Sequence, residues 1–231
     1  MSGTEIVGAI NWGQDRMKRR EFFAGIGLLA AFGPREVSAV VSDVLPSEGV
    51  VLNYRALFNG SDIGYQRIHI RQHDAAGHVV VEHDTKFEVR ILFSVAYSLE
   101  HRSTEVWQGF TLKSVDSETI ENNQRTLVKG HATEKGFHFD NQNNEWLTPG
   151  DLVTADSFWV ATALQAASVV NTRTGDTAVP VLKKIDEDHW HLYAAFAHGE
   201  IEARLEFDGG FLREAEIDSD GHRVRLVRVP A

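Results

Sequence analysis

Between Gly77 and Gly109 the chain runs for 31 residues without a Gly or a Pro. Apolar and polar residues alternate along it with period two, the pattern of antiparallel strands with one wet face. At about 3.3 Å per residue a single strand of that length would reach about 100 Å, more than a domain of this size can hold. A reversal must therefore lie inside. Residues 90–94 are its most natural place, which predicts two unusually long strands over 79–90 and 95–108.

The alternation continues on both sides. Residues 51–58 and 63–73 flank Asn59-Gly60-Ser61-Asp62, and Asp74-Ala75-Ala76-Gly77 follows, two hairpin signals in succession. Residues 110–121 and 125–135 flank Glu121-Asn122-Asn123-Gln124; 137–139 then lead into the polar stretch 140–145, and 146–156 reads as a loop. Asp156 or Ser157 can cap a helix over 158–167, since Val160, Ala163, Leu164 and Ala167 fall at i, i+3, i+4 and i+7. That helix should stop near 171–175. Strands resume at 178–186, 189–197, 201–207, 211–218 and 222–229. The expected fold is mainly β: a long curved antiparallel sheet or half-open barrel of about ten to eleven strands with one central helix, a single domain over 40–231.

Ahead of this domain, Lys18-Arg19-Arg20 precede an apolar run from Phe22 to Phe32, followed by Gly33-Pro34 and a small-residue pattern ending at Ser38-Ala39. The run has 11 residues, against the ~20 a membrane-spanning helix needs. It reads as a signal peptide over 17–39 cleaved near Ala39, with no permanent membrane anchor. The Arg pair followed by Glu21-Phe22-Phe23 resembles a twin-arginine export signal, which implies the twin-arginine export machinery as a partner and a periplasmic or secreted location. Residues 1–16 read as a non-native or disordered leader, with Met17 the natural start.

Charge and motifs narrow the function. The 23 basic and 33 acidic residues leave a net charge of −10, which disfavours nucleic acid as a partner. The absence of Cys excludes disulfides, thiolate metal sites and a Cys nucleophile. There is no GxSxG, no phosphate-cradling Gly loop and no HExxH, and no cofactor is expected.

A curled sheet covered by one small helix leaves apolar room. Phe93, Tyr97, Trp107, Phe158 and Trp159 are the candidate lining residues for an apolar small molecule or lipid. Over 101–107 alternation puts His101, Ser103, Glu105 and Trp107 on one face and Arg102, Thr104 and Val106 on the other. His101 and Glu105 are the acid–base candidates, Ser103 a further polar candidate, and Arg102 could hold an anionic group. Neighbours in that row stand ~6.6 Å apart along one strand, too far for direct Ser–His–Glu bonding, so partners have to come from adjacent strands. The plainer reading is cross-strand pairing on a partly wet face. His189 and His191 share a strand face, a spacing that supports Zn²⁺ or Cu²⁺ when a third ligand approaches.

The segment His101-Arg102-Ser103-Thr104-Glu105-Val106-Trp107 follows the long strand pair and precedes Asp156-Ser157-Phe158-Trp159 and Asn171-Thr172-Arg173-Thr174-Gly175. In this order the elements resemble, over about residues 50–229, an exported bacterial β-protein family of uncharacterised function. That family is in turn similar in architecture to the periplasmic half-barrels that carry lipoprotein acyl chains. The resemblance implies an exported protein that binds or carries a lipid-like ligand. Two alternatives stand beside it: a small-barrel hydrolase or isomerase using His101 and Glu105, and a non-catalytic structural or assembly protein of the cell envelope.

Overall fold

The computed structural model describes residues 49–72, 77–108, 111–141, 144–148, 153–155, 159–160, 168–197, 199–219 and 222–230. The expected signal peptide over 17–39 lies outside them. The strands are β1 (Val50–Phe58), β2 (Ser61–Gln72), β3 (His78–Ile91), β4 (Ser94–Gln108), β5 (Thr111–Glu121), β6 (Gln124–Thr133), β7 (Gly136–Asp140) and β8 (Glu145–Thr148). Three short strands follow, β9 (Val153–Ala155), β10 (Ser168–Val170) and β11 (Thr177–Ala178). The last five are β12 (Val181–Lys184), β13 (His189–Phe196), β14 (Gly199–Asp208), β15 (Phe211–Ser219) and β16 (His222–Val229).

Thirteen of these strands form one antiparallel sheet in the order β12-β13-β14-β15-β16-β1-β2-β3-β4-β5-β6-β7-β8. Two meanders are thus sewn together by the pairing of β16 with β1, which runs from Asn53↔Val229 to Phe58↔Val224. The order has two ends, β8 and β12, so the hydrogen-bonded sheet is not closed. The reversal expected near 90–94 is the Leu92-Phe93 turn between β3 and β4.

Alternation divides the sheet as the sequence requires. Its inner face carries the core, with Tyr54, Ile68, Ile70, Val81, Phe139, Leu192 and Leu205 among the fully buried side chains. The other face carries charges in directly opposed pairs, such as Lys86–Glu100 at 2.6 Å and Lys129–Asp116 at 2.8 Å. Water and salt screen such exposed pairs, so they favour the register more than the stability. Gly130 marks a close approach on the inner face, where a Cβ would come within 2.4 Å of the Phe137 ring.

The connection from β8 to β12 departs from expectation. There is no helix among the described residues. Val160, the first position of the expected helical stripe, instead bridges to Phe211, and 168–170 forms β10, between β9 in parallel and β11 in antiparallel pairing. Residues 161–167 lie outside the description. The expected loop over 146–156 contains part of β8 and all of β9, so the strands exceed the ten or eleven expected. Strand β9 lies against β5 and β11 against β13. The connection therefore covers the inner face, and the expected partly wet row on β4 is buried beneath it: His101, Ser103, Glu105 and Trp107 all lie in the interior.

Candidate functional site

The polar side chains of the interior collect on three neighbouring strands because the register aligns them in layers. Thr85, His101 and Thr119 form one layer across β3, β4 and β5; His83, Ser103 and Ser117 form the next; Glu105, between Val81 and Val115, begins the third. The His101 Nδ1 lies 2.8 Å from Thr119 Oγ1, and its Nε2 lies 3.3 Å from Thr172 Oγ1. The Ser117 hydroxyl lies 2.6 Å from the Thr172 carbonyl and 3.2 Å from that of Val128, and can donate to either. Trp107 donates its indole N–H to Glu105 Oε2 at 2.9 Å, while His83 Nε2 stands 3.8 Å from Glu105 Oε1.

Burial sets the protonation of this layer. Desolvation, helped by the nearby His101, pulls the His83 imidazole from 6.5 down to about 3, so it is neutral at physiological pH. His83 Nε2 and Ser103 Oγ find no hydrogen-bond partner among the described residues. Chemically this is a Ser/His/Glu set with two extra hydroxyls, but it is sealed: Glu105 is 0% exposed and Ser103 5%. The adjacent strand brings His83 opposite Ser103, but no hydrogen bond joins the two. Alternation along β3 put it on the right face, but a β-bulge between Val89 and Arg90 displaces the register by one residue, so the sequence did not reveal its opposition to Ser103.

The other candidates are placed elsewhere. Arg102 points to the opposite face of β4, where it pairs with Asp84 at 3.5 Å, so it cannot serve an anion held at His101. His189 and His191 line an open cleft of about 640 Å³ together with Trp190, Arg204 and Glu214. Each imidazole is already engaged by its own carboxylate, Asp186 at 2.7 Å and Glu202 at 2.8 Å. Among the described residues no three His, Asp or Glu side chains are grouped to hold a metal.

The four described apolar candidates, Trp107, Trp159, Tyr97 and Phe93, do not line one pocket. Trp107 and Trp159 meet edge to face, ring centroids 6.4 Å apart at 87°, an arrangement worth about 0.5–1.5 kcal/mol beyond burial. The Trp159 carbonyl also accepts from the Leu212 amide at 3.1 Å. Tyr97 stands ten residues away from Trp107 on the same strand, roughly 33 Å, with the polar layers between them. Burial pushes its phenol up to about 12, beside Arg173 and Glu121, which pair at 2.9 Å. Phe93 is 100% exposed at the β3–β4 turn. Phe158 lies outside the described residues.

A family model described as a domain of unknown function, DUF6134, matches residues 54–229. No curated protein matches the chain. Among solved structures the chain is similar to a β-barrel-like protein of the domain of unknown function DUF1849 from Brucella abortus. The TM-score is 0.51 and the identity 10%, over 78% of this chain and 95% of that one. At that identity the likeness concerns the fold alone.

Proposed function

The chain belongs to the DUF6134 family of domains of unknown function, and from that starting point we propose that it is an exported, periplasmic, non-catalytic protein that binds an apolar, lipid-like ligand at the outer end of the β3–β4 hairpin. One observation carries this reading. The inward row of β3 and β4 is buried at Leu99, half-buried at Phe87, Val89 and Tyr97, and exposed at Ile91, so an apolar surface leaves the core and continues into solvent. A contiguous exposed apolar surface on a charged chain marks a contact site. The proposed contact thus moves away from the deep Trp107–Trp159 pair, which already fill one another's surroundings.

The geometry lends less support to a hydrolase or isomerase. His101 has both ring nitrogens within hydrogen-bond reach of threonine hydroxyls, Glu105 is fully buried, and Arg102 faces the other way.

Native mass spectrometry and organic extraction of the chain recovered from its host test the proposal. The expected result is a co-purifying apolar molecule, with uptake of a fluorescent fatty acid weakened about tenfold or more by Val89→Asp, since one buried apolar side chain is worth roughly 1.5–3 kcal/mol. A chain that comes out empty and takes up no such probe overturns it.

A further inference from the structure

We propose that the β3–β4 hairpin is a membrane-docking finger that inserts Ile91, Leu92 and Phe93 into the surface of a zwitterionic lipid bilayer. This goes beyond the ligand reading, and either can fail without the other.

The finger protrudes because its two strands outlast their neighbours. Pairing of β3 with β2 ends at Phe87, and pairing of β4 with β5 begins at Leu99. Asn122 clasps the base, its amide donating to the Ser98 carbonyl at 2.9 Å and its side chain accepting from the Ser98 amide at 3.0 Å. Beyond that, the strand pairs Val89↔Tyr97, Arg90↔Val95 and Ile91↔Ser94 have no third strand beside them among the described residues. The free ribbon is about 10 Å long at ~3.3 Å per residue, comparable with the ~5–10 Å depth to which interfacial elements sink at the headgroup boundary.

The turn chemistry opposes a purely structural role. Other hairpins of this sheet turn on Asn59-Gly60, Asn122-Asn123 and Gly209-Gly210, residues that tolerate positive φ. Here Leu92 takes φ 56 and is 90% exposed beside the fully exposed Phe93, while Ile91 is also exposed. A bulky residue in that conformation is strained, and water around these side chains adds a second penalty. Nothing among the described residues offsets either.

Charge selects the partner. Outside the apolar tip the finger carries Glu88 and Arg90, which cancel in one pair at 2.6 Å, whereas the chain as a whole carries −10. An uncharged tip on an anionic body complements a zwitterionic surface and is repelled by an anionic one. Below the tip come Arg90 and Tyr97, residue types that settle at the headgroup level.

The absence of Cys makes the test clean. Phe93→Cys in the chain as recovered from its host is labelled with an environment-sensitive fluorophore and mixed with phosphatidylcholine vesicles, with or without added phosphatidylglycerol. The expected result is a blue shift, quenched by lipid-borne quenchers, that added phosphatidylglycerol weakens or leaves unchanged. Unlabelled wild type co-floats with phosphatidylcholine vesicles, and Leu92→Asn/Phe93→Gly, a better hairpin turn, loses at least tenfold of that binding while keeping its thermal melt. A label that stays in water, a double variant that floats like wild type, or binding that requires phosphatidylglycerol overturns the proposal. Loss of the ligand with vesicle binding intact would instead count against the ligand reading alone.

Discussion

His83 is held neutral by the interior that surrounds it, and this has a pH signature with a definite sign. In the folded chain its imidazole titrates at about 3, because burial disfavours the cation; unfolded, it titrates near 6.5. Below pH ~6.5 the unfolded chain therefore takes up a proton that the folded chain refuses, and stability falls until pH reaches about 3. Glu105, Ser103 and His101 are the polar groups that face it. Between pH 7.5 and 5 wild type should lose about 2 kcal/mol more than His83→Gln, read from urea midpoints; parallel losses in the two proteins would show that His83 is not the buried neutral group. Gly64 is constrained by its backbone. It has φ +139, and a Cβ there would lie 1.9 Å from the Lys86 carbonyl oxygen of the next strand. Gly64→Ala should cost more than about 2 kcal/mol by the same measurement, since neither backbone can yield cheaply; a change within experimental scatter would mean the strand edge adapts. At this scale the shared face of His101, Ser103, Glu105 and Trp107 followed from alternation alone. Their burial did not, because the segment that covers them is distant in sequence.

The connection between β8 and β12 acts as an inner strap, and its attachment to the sheet is local and testable. Ser117 Oγ is within hydrogen-bond reach of the carbonyl of Thr172 on the strap and that of Val128 on β6. The Asn171 carbonyl accepts from the Gly175 amide at 2.7 Å, closing the turn that carries Thr172. Ser117→Ala should destabilise the protein by about 1–2 kcal/mol, the usual loss when a buried acceptor is orphaned. Amide exchange should rise first at 168–176 and only later in β4 and β5; uniform acceleration across the sheet would show that the strap is not a separate unit. The long strands and most turns of the meander were legible because period two and turn residues are local signals. The helix expected over 158–167 falls almost wholly on residues outside the description; at Val160, the described start of its stripe, the chain bridges to Phe211.

At the scale of the whole sheet every antiparallel neighbour is also the next strand in sequence, except one. The pairing of β1 with β16 joins residues 53–58 to 224–229, and no turn announces it, which is why the expected curved sheet could be drawn without saying where its two meanders join. The free ends behave as edges usually do. Strands β8 and β12 have four residues each, with exposed Glu145 on one and exposed Lys183 and Lys184 on the other, short and charged enough to discourage pairing with another chain. The seam has the opposite character: β1 and β15 are each nine residues long and flank β16, whose Leu226 is buried in the core. A chain ending at residue 219 would expose two long inner edges at once, leaving rows of backbone donors and acceptors without partners. It should aggregate and lose the cooperative thermal transition of wild type. Lys184→Pro, which disturbs only the short rim strand, should remain monomeric with a melt close to wild type. Size-exclusion chromatography with thermal circular dichroism separates the two cases, and a monomeric, cooperatively melting truncated chain would mean that each meander holds its fold without the seam.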